Sequence, residues 1–366
     1  MGFIRVFLAL AVVCAHLPIG QLRIALNGTV AVQIFYIISG YLITHVLLSP
    51  RKYPSLGAFY ASRYMRLLPI YAIVAIGTLL FRIFMTPEWF TRYSETPLVG
   101  GALLVILNVI IIGQDLALFT AVREGSFVFI SDFMQSDVLI YKMLLAPQAW
   151  TVSLELMFYL LAPFVVRDKR VVWMVFALSL GVRVLLMGLG LGAHDPWSYR
   201  FFPAELAFFM AGSLSRHHIH AWMERHRADE GQLPRIAVYV LVAMLVLYPF
   251  VTVPETTSRL ILFATAIVSM PFLARFQRHS AVDNALGELS YPIYISHLLV
   301  IYVLLECWPD LILQATCVGL LTVFSLILLV SCGLAWFVAR PMDRLRRRIT
   351  SAGVGDGPKT SAPGMA

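Results

Sequence analysis

Long apolar segments recur along the chain, and they limit its fold more than any other feature of the sequence. A helix that crosses the hydrocarbon core of a bilayer needs about 20 mostly apolar residues. Eleven segments are candidates for such helices. They are residues 3–20, 28–48, 67–85, 98–119, 147–166, 171–191, 201–215, 236–253, 259–274, 288–308 and 311–339. The sequence therefore predicts an all-α, polytopic membrane helical bundle.

The composition excludes a water-soluble globule. Apolar residues make up 60% of the 366 residues, charged residues 13%, and the mean hydropathy is +0.81, whereas a soluble domain is about 45–50% apolar and about 25% charged. The first apolar segment resembles a secretory signal, but no small-x-small cleavage site precedes its polar turn. We therefore expect it to be a permanent first span.

Basic clusters between the spans predict the orientation of the chain. The clusters are Arg51–Arg66, Arg167–Arg170, Arg216–Arg235, Arg275–His279 and Arg340–Arg348. The positive-inside rule places all of them, and both termini, in the cytoplasm. Two candidate spans precede the first cluster, and two lie in each interval after Arg167. An even number of spans is required between two segments that lie on the same side of the membrane.

The stretch between Arg66 and Arg167 does not fit this pattern. It holds three apolar candidates, an odd number, and a semi-polar segment, 120–146, that carries Asp132, Asp137 and Lys142. Either the semi-polar segment contributes a fourth crossing, or one candidate enters the membrane and returns, which requires cover by protein or a water-filled cavity. The second alternative gives about ten transmembrane helices and one re-entrant segment.

Half of the net positive charge lies near the end of the sequence. The net charge is +8, and residues 340–366 contribute six basic and two acidic side chains, which gives +4. A local cluster of this kind indicates orientation or contact with membrane lipids, and no nucleic-acid partner is expected. Residues 349–366 are small, polar and rich in Gly and Pro, which predicts a disordered cytoplasmic tail.

Two ionisable residues share one face of the first span. Arg5 and His16 are eleven residues apart, which is about 20° from three full helical turns and about 16 Å along the axis. Ionisable groups within spans are costly and are often functional. Arg5 therefore lies near the cytoplasmic surface and His16 lies deeper, with Pro18 ending the helix. An interfacial anchor for Arg5 and a structural hydrogen bond for His16 are the alternatives.

Two further spans carry polar stripes. Thr151, Glu155 and Tyr159 recur every four residues, and Glu155 is the only carboxylate in its span. Ser290, Tyr294 and His297 form a second stripe at i, i+4 and i+7, with Pro292 in the expected first turn of that helix. A lone buried carboxylate must find a cation or be protonated. A structural ion pair without chemistry is the alternative for Glu155.

The cytoplasmic clusters contain two patterns that suggest ligands. Arg63 and Arg66 are three residues apart, so two guanidinium groups on one helical face suit a phosphate or pyrophosphate, although topology alone also favours arginines there. The histidine-rich run 216–220 has no accompanying carboxylate or thiolate, and the four cysteines lack close spacing. We expect a solvated loop at 216–220 and no metal site.

Five segments, taken in order, resemble the acyltransferase-3 family of integral membrane acyltransferases over residues 3–340. They match its R-x10-H (Arg5, His16), SG(F/Y)L (35–43), RxxR (Arg63, Arg66), W-(S/T)-x-S-x-E…FY (150–159) and LGxxSYxxYxxH (286–297) motifs. The chain departs from the family after Glu155, where Leu156 and Met157 replace a second acid and a glutamine.

The resemblance implies a membrane-bound enzyme that transfers an acyl group, commonly acetyl from acetyl-CoA, to a hydroxyl group. The implied acceptor is a carbohydrate or lipid-linked glycan of the cell envelope, and the implied location is the bacterial inner membrane. Acyl-CoA acts as a donor substrate, and no permanently bound cofactor is expected. Residues 1–348 then form the membrane-embedded acyltransferase domain, and residues 349–366 form the tail.

The resemblance and the chemistry of the side chains together suggest roles. Arg5, Arg63 and Arg66 suit a clamp for the CoA phosphates, and His16 suits a general base or transient acyl carrier. Glu155 is the candidate to orient the His16 ring. The expected substrate-binding or supporting residues are Trp150, Ser153, Tyr159, Ser290, Tyr294 and His297.

One rival hypothesis belongs to a different functional class. A polytopic transporter or flippase in which His16, Glu155 and His297 relay protons also explains buried ionisable groups. It does not explain why the R-x10-H and RxxR motifs occur together.

Overall fold

The structure is a computed structural model that describes residues 1–18, 26–49, 53, 55–228, 231–276 and 280–351, without the side chains of 349–351. The predicted all-α membrane bundle is confirmed. The longer helices are α1 (Gly2–His16), α2 (Gly28–Leu48), α3 (Leu56–Met85), α4 (Leu98–Ile110), α5 (Trp150–Val165), α6 (Lys169–Gly188), α7 (Phe202–Leu214), α8 (Leu233–Leu247), α9 (Glu255–Phe276), α10 (Ala281–Cys307), α11 (Cys317–Leu334) and α12 (Arg340–Ser351).

Short elements connect these helices. A hairpin of two antiparallel strands, β1 (Thr120–Arg123) and β2 (Ser126–Phe129), is the sheet within the described ranges. The remaining turns are the α-helical Thr91–Ser94, Ala221–Arg225 and Pro309–Leu313, the π-helical Ser215–His220 and Ala335–Ala339, and the 3-10 segments Pro87–Phe90, Gln114–Leu118, Phe133–Gln135, Ile140–Met143, Pro147–Ala149 and Tyr248–Phe250.

Eight of the described helical segments are long and apolar enough to cross a membrane. Helices α1 and α4 are apolar but shorter, so the number of ten crossings stays a prediction. The outer surface supports membrane embedding, because large apolar side chains such as Leu98, Val184 and Phe337 are exposed there. The bundle interior combines apolar side chains with buried polar ones such as Gln33 and Glu205, as expected where lipid replaces water outside.

Local sequence explains where several helices begin and end. Asn27, Ser55, Asp168 and Ser280 each accept a hydrogen bond from a backbone N–H of the helix that follows, which caps α2, α3, α6 and α10. Leu17 ends α1 in an extended conformation because the next residue, Pro18, disfavours the helical region for the residue before it.

Glycines allow two pairs of helices to approach closely. A Cβ at Gly40 of α2 would lie 1.9 Å from the backbone oxygen of Phe209, and a Cβ at Gly212 of α7 would lie 2.0 Å from that of Ile37. Helices α1 and α10 run in parallel, and Gly2 fits against the backbone of Asp283, whose carboxylate accepts hydrogen bonds from the N–H groups of Gly2 and Phe3. Small residues at such crossings are typical of membrane bundles.

The stretch between Arg66 and Arg167 contains a half-length helix rather than a fourth crossing. Helix α4 has 13 residues, and its end lies deep beside α3, where the Tyr64 and Tyr71 hydroxyl groups donate to the carbonyl oxygens of Ile110 and Asn108. The chain then turns back at Ile111. The 120–146 segment forms the hairpin and 3-10 turns, so the first of the two alternatives, a crossing there, is wrong.

Protein covers the turn that follows α4. The Gly113 N–H donates to the Ser153 hydroxyl group, and the Gln114 side chain donates to Tyr71. Irregular backbone at membrane depth needs this kind of cover, so the arrangement agrees with a re-entrant segment.

Three local predictions need correction. Helix α10 begins at Ala281, so Pro292 lies inside the helix and not in its first turn. The 216–220 run is π-helical and packed, with His217 bonded to the Val166 carbonyl oxygen, and is not a solvated loop. Helix α12 continues to Ser351, three residues into the expected tail. Residues 352–366, like Arg51, Lys52 and 277–279 of the basic clusters, lie outside the described residues.

We expect an alanine at Gly40 or Gly212 to destabilise the contact between α2 and α7. The added methyl group would have to displace backbone, and overpacking of this kind costs about 1–3 kcal/mol. Thermal unfolding of the purified protein in detergent should show a lower Tm for Gly40→Ala and Gly212→Ala. Gly181→Ala is the control because nothing lies within 4 Å of its Cβ position, and an equal loss in all three variants would contradict the prediction.

Candidate active site

Three cavities follow one another through the bundle. The "basic cavity", of about 760 Å³, contains Arg66, Arg275 and Arg346 in its wall. It shares Arg5, Leu42, Arg66 and Tyr291 with the "inner chamber", of about 90 Å³. The chamber shares Val32 and Tyr294 with the "histidine cavity", of about 660 Å³, whose wall includes His16. The narrow chamber therefore separates two wide cavities at opposite ends of the bundle.

Polar side chains from four helices meet in the inner chamber. Glu155 of α5 accepts hydrogen bonds from the hydroxyl groups of Ser39 on α2 (2.8 Å) and Tyr159 on its own helix. Arg5 of α1 lines the same chamber, and its charge is opposite to that of Glu155. Ser290 of α10 completes this polar wall. The chamber thus holds groups of opposite charge inside the bundle.

Arg63 and Arg66 extend the positive charge toward the basic cavity. The Arg63 guanidinium donates to the Tyr53 hydroxyl group and lies 5.5 Å from the centre of the Phe59 ring and 5.9 Å from that of Tyr159. These contacts hold it in the chamber wall. Arg66, one turn later on α3, lines both the chamber and the basic cavity. Two guanidinium groups with this spacing, one of them held in place, suit a phosphate ligand.

Rings form another part of the basic cavity wall. The Tyr41 hydroxyl group lies 2.7 Å from His220 Nδ1, and Arg216 Nε donates to His45 Nδ1 over 3.0 Å. The Tyr41 and His45 rings are nearly parallel, with centroids 6.4 Å apart. A cavity that combines arginines with planar rings is able to hold a ligand that is both anionic and aromatic.

His16 and His297 form a pair at the edge of the histidine cavity. His16 Nδ1 lies 2.9 Å from the Val12 carbonyl oxygen and 3.4 Å from His297 Nε2. His297 Nδ1 lies 2.6 Å from the Tyr294 carbonyl oxygen. Since a carbonyl oxygen only accepts, both Nδ1 atoms carry hydrogen in the neutral rings. His16 Nε2 is then the unprotonated nitrogen, and it is able to act as a base or nucleophile.

A fixed arginine lies in the wall of the same cavity. Arg200 donates from Nε and Nη2 to the two carboxylate oxygens of Asp195, over 2.6 and 3.0 Å. Its guanidinium carbon lies 4.6 Å from the ring centres of both Trp150 and Tyr199. Burial by itself would lower the pKa of Arg200, but neighbouring Tyr199 and the hydrogen bonds to Asp195 raise it. The group therefore stays charged.

The basic cavity, the inner chamber and the histidine cavity together are called the passage. The structure brings most of the predicted residues to it. Arg5, Arg63, Arg66, Glu155, Tyr159, Ser290 and Tyr294 line the inner chamber, and Trp150, Tyr294 and His16 line the histidine cavity. His297 contacts His16 but does not itself line the histidine cavity. Among the described residues, no group of three or more His, Cys, Asp or Glu side chains is placed to hold a metal ion.

One predicted contact is wrong. Glu155 bonds Ser39 and Tyr159, and the His16 ring bonds the Val12 carbonyl oxygen and His297, so His297 rather than Glu155 contacts the His16 ring. Ser153 accepts from the Gly113 N–H and donates to Asp115 over 2.9 Å, and it lines none of the three cavities, so it has the supporting role of the two that the sequence predicts. Four-residue spacing identifies a face of one helix but not the helix that packs against it.

Sequence reasoning missed several residues of the passage. Ser39 belongs to the SG(F/Y)L motif, but its contact with Glu155 depends on tertiary packing. Arg200 lies in an irregular segment before α7 and carries no periodic signal. Tyr36 lines the inner chamber, and its buried hydroxyl group has no hydrogen-bond partner within the described ranges. The sequence feature that could have identified Tyr36 is its position within the SG(F/Y)L motif on α2.

The fold and the site define a polytopic membrane protein in which a small polar chamber lies between two wide cavities. The profile of the acyltransferase-3 family, described as an acyltransferase domain, matches residues 1–340. The chain therefore belongs to this family, which confirms the prediction of an acyltransferase.

One similar protein covers only a short part of the chain. Peptidoglycan O-acetyltransferase OatA of Listeria monocytogenes serovar 1/2a is 30% identical over 88 residues, which are 23% of this chain and 14% of that protein. The chain thus matches about one seventh of the length of that relative. No solved structure matches the chain.

We expect Ser153→Ala to lower stability without lowering the catalytic rate of the folded protein. The substitution removes two hydrogen bonds, one donated by the Gly113 N–H and one accepted by Asp115, and each lost hydrogen bond costs about 1 kcal/mol. The measurement compares Tm in detergent with acyl-transfer rate per folded enzyme. Ser39→Ala is the matched change, because Ser39 contacts Glu155 in the chamber and should lower the rate. A rate loss at Ser153 as large as that at Ser39 would contradict the assignment.

Proposed function

We propose that this protein transfers an acyl group, with acetyl as the first choice, from cytoplasmic acyl-CoA to a hydroxyl group of a carbohydrate at the opposite face of the membrane. The observation that carries the proposal is the passage itself. Fixed arginines surround one end of it, and an imidazole with a free nitrogen lies at the other. Family membership supports the acyltransferase chemistry and favours it over a transporter.

The donor occupies the end with the arginines. Coenzyme A carries several phosphate charges on a nucleotide, and a long uncharged arm ends in its thioester. Arg66 and Arg346 contact the phosphates, Arg63 and Arg5 line the way inward, and the arm extends through the narrow chamber. Arg5 and His16 are about 16 Å apart along α1, so the thioester reaches the histidine while the phosphates stay near the arginines.

The orientation follows from the basic side chains. Residues of four basic clusters, Arg66, Glu224, Arg275 and Arg346, line the basic cavity. His217, from the same cluster as Glu224, bonds Val166 next to the cluster that begins at Arg167. The positive-inside rule places this end in the cytoplasm, together with residue 1 and helix α12. The cytoplasmic membrane of a bacterium is the location that agrees with this orientation.

His16 acts as the general base in the transfer. The acceptor oxygen bonds to the thioester carbonyl carbon while His16 Nε2 takes the hydroxyl proton. The carbonyl electron pair moves onto its oxygen to form a tetrahedral intermediate. When that intermediate collapses, the carbonyl double bond forms again, the carbon–sulfur bond breaks, and the leaving thiolate takes the proton from His16. His297 holds the ring so that Nε2 faces the cavity.

The acceptor occupies the histidine cavity. Its wall offers the rings of Trp150, Tyr199 and Tyr248 together with the polar side chains of Asn27 and Thr29. Aromatic faces combined with hydrogen-bonding groups suit a sugar ring. The Listeria relative is a peptidoglycan O-acetyltransferase, which supports a carbohydrate hydroxyl group as the acceptor.

We expect His16→Ala to abolish acyl transfer while protein abundance in the membrane stays normal. The substitution removes the proposed base at the acceptor hydroxyl group, and loss of a general base costs about 10²–10⁴-fold in rate. Mass spectrometry of envelope glycans, with and without the variant gene, would measure the lost ester. Retained esterification would defeat the proposal. If the histidine carries the acyl group instead, incubation with donor alone would leave an acylated His16 peptide.

We expect Arg66→Gln to raise the KM for acetyl-CoA by about tenfold with little change in kcat. A hydrogen bond to a charged group contributes about 1.5–3 kcal/mol, and Arg66 lies far from the reacting carbon. Acetyl-pantetheine lacks the nucleotide, so its KM should be the same for the variant and the natural protein. Arg170→Gln is the control, because Arg170 is exposed at the same end and lines none of the three cavities. An unchanged KM for acetyl-CoA would mean that Arg66 serves only orientation.

A further inference from the structure

We infer that Arg200 is a catalytic residue that stabilises the negatively charged oxygen of the tetrahedral intermediate. This inference rests on the proposed function, because it concerns the oxygen that becomes charged during the transfer at His16. None of the motifs that identify the family contains Arg200. The assignment rests on the position, the restraint and the available hydrogens of its guanidinium group.

Arg200 occupies the same cavity as the proposed base. His16, Arg200 and Tyr294 all line the histidine cavity. Arg259, the neighbouring arginine at this end, does not line it and pairs with Glu255 on its own helix. Arg200 is therefore the described cation in the wall where the thioester, the acceptor and His16 meet.

The guanidinium group is held before any substrate binds. Asp195 fixes its Nε–Nη2 edge through two hydrogen bonds, and Tyr199 accepts a further one from Nη2 over 2.5 Å. The ring of Trp150 lies against one face. A donor that is already in place needs no reorganisation when charge develops in the transition state. These restraints are more than a positive charge alone would need for topology or solubility.

One nitrogen of this group remains available. The hydrogen bonds of Arg200 use Nε and Nη2, and Nη1 has no hydrogen-bond partner within the described part of the chain. The two Nη1 hydrogens are able to bond an oxygen in the cavity. Asp195 balances the charge of the resting arginine, so the oxyanion meets an oriented N–H pair within a site of low net charge.

The neutral histidine pair increases the need for such a group. His16 bonds His297 and a carbonyl oxygen, and no carboxylate contacts either ring among the described residues. The charge separation between an imidazolium and an oxyanion then depends on other groups in the cavity. Arg200 stabilises the anionic partner of that separation.

The experiment measures kcat and both KM values for purified Arg200→Gln and Arg200→Lys in detergent, with acetyl-CoA and a soluble glycan acceptor. We expect Arg200→Gln to lower kcat by about 10²–10³-fold, as loss of one oxyanion donor does, with little change in either KM. Arg200→Lys keeps the charge but not the fixed fork, and it should retain part of the rate. Arg259→Gln is the matched control and should keep the natural kcat.

Guanidinium rescue separates chemistry from structure. Added guanidinium ion should restore part of the rate of Arg200→Ala, because the ion replaces the missing donor in the vacated space, and it should not accelerate His16→Ala. If Arg200→Gln fails to fold, as judged by Tm, Arg200→Lys decides the question. A natural kcat in a folded Arg200 variant would overturn the inference, and so would a raised acceptor KM with an unchanged kcat.

The outcomes distinguish this inference from the proposed function. If the natural protein shows no acyl transfer, or if His16→Ala retains it, the proposed function fails. If transfer depends on His16 but Arg200→Gln keeps its kcat, only the role of Arg200 fails.

Discussion

Compensation of charge inside the bundle is the constraint on which the rest of the structure depends. An isolated ion at membrane depth is costly, yet this chain places several arginines and glutamates between its helices. Glu205 is fully buried, and it accepts from Arg183 over 2.5 Å and from Gln33. Arg5 and Glu155, which carry opposite charges, both line the inner chamber. The Arg183–Glu205 ion pair ties α6 to α7, so buried polar groups are also part of the framework.

Close packing of backbone makes those pairs reachable. The glycine contacts bring α2 against α7 and α1 against α10, which sets Gln33 beside Glu205 and His16 beside His297. A wider separation of either helix pair would leave these polar groups without partners in a medium that offers none. The polar contacts between these helices therefore depend on the glycines that let the helices approach closely.

The sequence supplied the helices and the faces of the site, but not all of its contacts. Hydropathy predicted the spans, and the eleven-residue spacing predicted that Arg5 and His16 lie on one face at different depths. Spacing does not show which helix packs against that face, so His16 was paired with Glu155 although His297 contacts it. Spacing likewise leaves open whether Ser153 binds substrate or supports the fold, and only its contacts with Gly113 and Asp115 show the supporting role. Arg200 was missed because the segment before α7 is irregular, and its contacts exist only in the folded chain.

In the proposed reaction, the separation of charge along the three cavities gives the donor and the acceptor different ends. Arginines that bind a polyanion would also hold an oxyanion or a thiolate tightly if they surrounded the reacting carbon. The structure instead keeps the Arg66 end and the His16 end apart, with the chamber between them. In the proposed reaction, the fixed guanidinium of Arg200 favours a transient negative charge in the histidine cavity, where it does not hold the nucleotide. The narrow chamber would then admit the uncharged arm of the donor and exclude its phosphates and bulk water, so that the proposed thioester meets the acceptor before it meets solvent.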